Sequence, residues 1–185
     1  SMAVAHLNGD HNHDDALAGN LCRCTGYAPI IRAAQAASEQ PAPDWLKDTP
    51  PASLVQKYPS GGLGGRQPPS LNAPETLDDL ATAYAASPDA TLIAGATDVG
   101  LWVTKSLRDL EDVIFLNRCT ELQQIEETDD HLRIGAGVTM DRVLDVVRDL
   151  HPSYAEMIRR YGSAQVRAAA TIGGHIANGS PIGGN

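Results

Sequence analysis

Residues 41–70 read "PAPDWLKDTPPASLVQKYPSGGLGGRQPPS", and no other stretch limits the fold so strongly. It holds more than half of the chain's 12 prolines, together with a Gly-Gly-Leu-Gly-Gly run. Each proline removes a backbone donor and fixes φ, so neither a continuous helix nor a central strand can pass through it. An extended interdomain linker is expected, crossing a surface. Its Trp45, Leu46, Leu54 and Val55 favour a linker that packs as it goes. The chain must then fold as two pieces, residues 1–40 and residues 71–185.

The two pieces differ in texture. Residues 1–40 are Ala-rich and helical in pattern. Beyond Ser70 the elements alternate. "APETLDDLATAYAAS" (73–87) places Leu77, Leu80, Ala81 and Tyr84 at helical spacing. "TLIA" (91–94) and "DVIFL" (112–116) read as short buried strands, with a helix over 98–107 between them. "LQQIEETDDHLRIGAGV" (122–138) predicts a hairpin turning at Asp129–Asp130. "TMDRVLDVVRDL" (139–150) predicts a helix with Thr139 at its N-cap. A shorter helix follows over 152–160, and "ATIGGHIA" reads as strand-like. No internal repeat occurs, and the fold class is α+β.

Composition excludes several functions. The 185 residues are 42% hydrophobic, enough for a core. A formal charge of −9 repels phosphate backbones, so no nucleic-acid partner is expected. No run reaches the ~20 apolar residues of a membrane span, and no basic cluster suits an anionic membrane. The N-terminus, "SMAVAHLNGDHNHDD", lacks the basic n-region of a signal peptide. Three cysteines make no disulfide framework, and a reducing cytoplasm is the expected compartment.

Four motifs could carry chemistry. In "GNLCRCTGYAPI" (19–30), Cys22 and Cys24 could supply two thiolates from one tight turn to iron or zinc, which take soft ligands. Spacing alone leaves a half metal site and two ordinary thiols both open. Cys119 is expected to be a packed apolar residue. In "DHNHDD" (10–15) a solvated inter-helix turn is the better reading than a metal site. "LIAGATDVG" (92–100) turns from a strand into a helix through small residues. Their open amides would cradle a pyrophosphate, although a plain strand–turn–helix joint gives the same pattern. It is neither a P-loop nor a dinucleotide fingerprint. "ATIGGHIANGSP" (170–181) is a second glycine loop. Two such loops suit one elongated phosphate-containing ligand, and a pair of bulged strands remains the alternative.

Together, "NLCRCTGYAPIIRAA", "LIAGATDVGLWVTK" and "QVRAAATIGGHIANGSPIGG" resemble motifs of one family, the molybdenum hydroxylases. The first resembles the C-terminal cysteine motif of that family's [2Fe–2S] domain. The others resemble the two flavin loops of its FAD domain. The order, with a linker between, is similar to the iron–sulfur/flavin small subunit of xanthine-dehydrogenase-type members, and less so to members with separate iron–sulfur and flavin subunits. The resemblance covers most of the chain except the linker. It implies the C-terminal part of a [2Fe–2S]-binding helical bundle at 1–40, the linker at 41–70, and the N-terminal part of an FAD-binding domain at 71–185. A chain cut at both ends is the corresponding expectation, with a C-x-x-C pair of ligands lying upstream.

By the same resemblance, Cys22 and Cys24 would be two cluster ligands. Leu92, Ile93, Ala94, Gly95, Ala96, Thr97, Asp98 and Val99 would wrap the pyrophosphate and ribityl region of FAD. Tyr161 would lie near the adenine or flavin ring, and Thr171, Gly174, Asn178 and Ser180 would form the second loop. The chain departs from the family pattern at Ala168, His175 and Gly184. Gly184 stands where an Asp contacts the dinucleotide, which implies weakened FAD retention. The implied function is electron transfer from purine oxidation through [2Fe–2S] clusters to FAD and on to NAD. A molybdopterin-binding large subunit would be the partner in a hetero-oligomer. No residue here is assigned acid–base catalysis. An aldehyde or aromatic-substrate hydroxylase, or a fragment binding no cofactor, are the alternatives.

Overall fold

The structure is a computed structural model. It describes residues 2–22, 24–41, 44 and 72–179. The expected linker, including Trp45, Leu46, Leu54 and Val55, lies almost wholly outside the described residues, as do Ser180 and Gly184. The chain divides into two compact units, Ser1–Pro68 and Pro69–Asn185.

The first unit holds three helices, α1 (Met2–Leu7), α2 (His13–Leu17) and α3 (Ala28–Ser38). Helix α2 packs on both α1 and α3. Asn12 caps α2, its side chain accepting from the Asp15 amide. Asp10 and His11 are exposed, as a solvated turn requires, but His13 is buried. The five residues of α2 offer few apolar side chains, so the imidazole is used to fill the packed face. Helix α3 begins with Pro29 in its first turn, where a missing donor costs nothing.

In the second unit α4 (Leu77–Ala86) is capped by Thr76, whose hydroxyl accepts from the Asp79 amide. Strand β1 (Thr91–Ile93) pairs in parallel with β2 (Val113–Phe115), Leu92 opposite Ile114. Helix α5 (Val99–Thr104) lies between them in sequence. Strands β3 (Ile125–Glu127) and β4 (Leu132–Ile134) form the antiparallel hairpin, with Asp129 and Asp130 at its tip. Helices α6 (Met140–Leu150), α7 (Pro152–Arg160), α8 (Ala164–Ala169) and α9 (Ile172–Asn178) complete the unit.

The core follows from the spacing in α6. Met140, Val143 and Val147 recur on one face and are buried, and α7 meets them with Ala155 and Ile158. Val138 and Ala170 close the cluster, and Ile125, Leu132 and Ile134 of the hairpin cover it. Each buried Val or Ile stabilises the fold by about 1.5–3 kcal/mol. Among the described residues, no helix is long and apolar enough to cross a membrane.

One expectation is corrected, and one helix is new. "ATIGGHIA" is not a strand. After a single antiparallel bridge from Thr171 to Thr139, it becomes helix α9. Thr171 caps that helix by accepting from the Gly174 amide, and Gly179 ends it at φ 56°. Helix α8 was not anticipated, because "AQVRAA" has no amphipathic stripe.

Candidate functional site

Backbone approaches that only glycine allows build the site. A Cβ on Gly95 would lie 1.9 Å from the Ala169 carbonyl oxygen, and one on Gly173 would lie 2.5 Å from the Ala136 Cβ. The β1–α5 loop therefore seats directly on the α8–α9 joint. The start of α9 seats on the segment after β4, where the Gly173 amide donates to the Ala136 carbonyl. Between these walls is a cavity of about 640 Å³.

The cavity brings together most of the residues expected from sequence. Leu92, Ala94 and the run Gly95 to Val99 form one wall. Tyr161, Thr171, Gly174 and Asn178 form the other. Ile93 is not on the wall. Its side chain is buried, because alternate strand residues face opposite ways and Leu92 takes the cavity side. Trp102, Leu116, Ala136 and His175 also line the cavity and were not assigned to it from sequence. His175 carried a signal, since it interrupts an otherwise small and polar loop.

The polar groups of the cavity are arranged for a ligand rich in acceptors. Among the described residues, the amides of Gly95, Ala96, Thr97 and Asp98 donate to no protein acceptor. Ala96 holds φ 56°, a left-handed conformation that is unfavourable for a residue with a Cβ by about 1–2 kcal/mol. This turn leaves successive N–H groups unbonded at the cavity wall. The wall carries the carboxylates of Asp89 and Asp98 and, among the described residues, no Lys or Arg. Burial, and then the charge of Asp98, push the Tyr161 phenol above its ordinary pKa, so it stays neutral. The Tyr161 and His175 rings meet edge to face at 4.6 Å and 70°.

Residues 68–185 match the family described as the FAD binding domain in molybdopterin dehydrogenase. The chain belongs to that family. Aldehyde oxidase 1 of Rattus norvegicus is 26% identical over 88% of this chain, and xanthine dehydrogenase of Emericella nidulans is 25% identical over 94%. The chain spans about a sixth of those relatives, 16% and 17% of their lengths. Carbon monoxide dehydrogenase of Hydrogenophaga pseudoflava superposes with a TM-score of 0.55 and 29% identity, covering 63% of this chain and 42% of that one. Quinoline 2-oxidoreductase of Pseudomonas putida 86 gives 0.53 and 26%, covering 60% and 41%. The second unit thus has the mixed helix and strand fold of these FAD-binding domains.

The residues of the cavity fit the flavin dinucleotide that the family name implies. A pyrophosphate needs donors without steric bulk, and the unbonded amides of 95–98 stand beside small side chains. Carboxylates such as Asp98 accept from sugar hydroxyls, and Tyr161 and Trp102 offer apolar ring faces.

Outside the matched segment, Cys22 is half-buried and Cys24 exposed, both as free thiols. Gly26 and Tyr27 are both left-handed, at φ 65° and 69°, and fold the loop back on itself. The Tyr27 hydroxyl then accepts from the Cys22 amide at 3.0 Å. The Thr25 hydroxyl lies 3.3 Å from the Cys22 sulfur, and this contact, with nearby backbone donors, lowers the thiol's pKa. A thiolate is the form that binds metal. Among the described residues, no three His, Cys, Asp or Glu side chains gather as a metal site. Cys119 is fully buried and packed.

Proposed function

We propose that this chain is part of the electron-transfer machinery of a xanthine-dehydrogenase-type molybdenum hydroxylase. The cavity carries the reading: two glycine-built walls, four unbonded amides and an aromatic pair enclose about 640 Å³ inside the family segment. FAD bound there would supply the passage from one-electron to two-electron chemistry. The chain's own residues do the rest. Gly95 to Asp98 hold the pyrophosphate, Asp98 and Asn178 orient hydroxyls, and Tyr161 and Trp102 exclude water from the ring. Thr171 and Gly174, at the cap and first turn of α9, flank the ligand on the facing wall, and Ser180 is assigned to the same site from its motif.

In the first unit Cys22 and Cys24 ligate a [2Fe–2S] cluster with two further thiolates. The alignments with aldehyde oxidases and xanthine dehydrogenases support this order of parts. They span 88–94% of the chain, so they extend beyond the flavin segment into the first unit. Purine oxidation at a molybdopterin-binding large subunit supplies the electrons, NAD accepts them, and the hetero-oligomer is cytoplasmic. An aldehyde-oxidising parent is the second reading, favoured by the match to aldehyde oxidase 1.

Fluorescence titration of FAD with excess chain tests the flavin site, and saturable quenching is expected. No quenching refutes it. Iron and acid-labile sulfide in the parent complex test the cluster. Cys22→Ser or Cys24→Ser should remove the content of one [2Fe–2S] centre, and unchanged content refutes that assignment.

A further inference from the structure

The turn that presents Tyr161 to the cavity has no secondary structure of its own. It follows the last residue of α7, passes through Gly162 at φ 58°, and enters α8 at Ser163. Helix α7 ends with carbonyls that no later helical residue can satisfy. One side chain takes the Arg159 carbonyl of that end together with carbonyls of the turn itself. Arg167, only 11% exposed, donates from Nη1 to the Arg159 carbonyl at 3.1 Å and to the Gly162 carbonyl at 3.0 Å. The Tyr161 carbonyl lies 3.4 Å from the same nitrogen. Its Nε donates to Asp141 Oδ1 at 2.9 Å. Asp141 stands in the first turn of α6, the helix that carries most of the core. The guanidinium thus fastens both sides of the Tyr161 turn to the rigid part of the unit.

We infer that Arg167 is a positioning residue for the flavin site, setting the Tyr161 ring on the cavity wall through the Asp141–Arg167–turn network. The inference rests on the FAD reading above. Arg167 is absent from the cavity lining, so it acts through Tyr161 and not on the ligand. The arrangement requires arginine in particular. A planar fork can bond a carboxylate on one edge and carbonyls on the other, whereas a lysine ammonium is a single point donor. The ring contact to His175 ties Tyr161 to α9, its neighbour on the same wall, since an edge-to-face pair favours a limited range of ring geometries.

A double-mutant cycle on FAD affinity tests this, using the whole chain and flavin fluorescence with protein in excess. Tyr161→Ala should raise the Kd about 10-fold, the scale of losing one aromatic stacking contact. Arg167→Lys should raise it about 5–10-fold. The double variant should bind no more than about 2-fold worse than Tyr161→Ala alone, because residues in one network are not additive. Asp141→Asn, which loosens only the Nε anchor, gives the same test in a milder form. Losses that multiply show that Arg167 serves general stability, and they overturn the inference. An Arg167→Lys chain that binds FAD like the parent overturns it as well. If Tyr161→Ala binds normally, the inference falls while the FAD reading stands. If the parent chain binds no FAD, both fall.

Discussion

Gly95→Ala is the sharpest test of how the cavity is built. The added Cβ would sit 1.9 Å from the Ala169 oxygen, 2.7 Å from the Ala169 carbonyl carbon and 3.1 Å from the Ala170 Cα, while ordinary contact begins at 3.4 Å. All three neighbours are backbone atoms, so no rotamer change relieves the clash. The β1–α5 loop must lift off the α8–α9 joint, or Ala170 must leave the core cluster it helps to close. Overpacking destabilises by about 1–3 kcal/mol when side chains can adjust, and a backbone clash belongs at the upper end, near 3 kcal/mol. For a unit of this size that lowers the Tm by roughly 10 °C. Urea unfolding followed by circular dichroism measures the loss, and the same variant should lose FAD quenching because the two walls separate. Gly100→Ala is the control. Nothing lies within 4 Å of its Cβ and it sits inside α5, so the change should stabilise by up to about 1 kcal/mol. If Gly95→Ala unfolds within about 0.5 kcal/mol of the parent, the close-approach argument is wrong.

Three further outcomes follow from the same geometry. Ile158→Ala empties a fully buried position facing α6 and should destabilise by about 2–5 kcal/mol in urea unfolding. Hydrogen bonds from Arg159 and then Arg160 hold the Glu156 carboxyl at about 2, below its ordinary 4.5. A depressed pKa adds stability above about pH 4.5 that is lost as the pH falls through 2. The small Tm gap between the parent and Glu156→Gln should therefore be present at pH 6 and much reduced at pH 2, and a gap as large at pH 2 as at pH 6 contradicts the pairing. Finally, the chain carries −9 and its cavity wall carries Asp89 and Asp98 but, among the described residues, no Lys or Arg. Added salt screens repulsion, so FAD should bind equally well or better at 0.5 M NaCl. A Kd that rises with salt would require a basic phosphate contact.

Sequence periodicity located some elements well and others poorly, for identifiable reasons. Helix α6 was legible because Met140, Val143 and Val147 repeat on one face. Its expected N-cap was right in position only. The Thr139 side chain makes no capping bond, and its backbone bridges to Thr171. Helix α9 was misread because Thr, Ile and paired glycines are poor helix formers. Tertiary contact overrides that preference, since Gly173 must lie against Ala136 for the joint to close. The Thr171 cap, three residues before Gly174, was the available signal. Helix α8 had a similar one in Ser163, which accepts from the Val166 amide. Ile93 shows the limit of reading a loop as a block. Strand alternation divides "LIAGATDV" between core and cavity, and a motif quoted as a string does not mark the division.

The two glycine loops are coupled through one joint. Gly95 rests on Ala169 and Ala170, and Thr171, the next residue, caps the helix that forms the facing wall. A shift at either loop therefore changes the width of the cavity. Arg167, on the helix that ends at this joint, fixes the third element, the Tyr161 turn, to the same α6 scaffold. With long-range charge working against an anionic ligand, selectivity has to come from short-range donors, and these act only at fixed distance. Glycine contacts, a threonine cap and a largely covered arginine fork supply that rigidity where side-chain charge supplies little attraction.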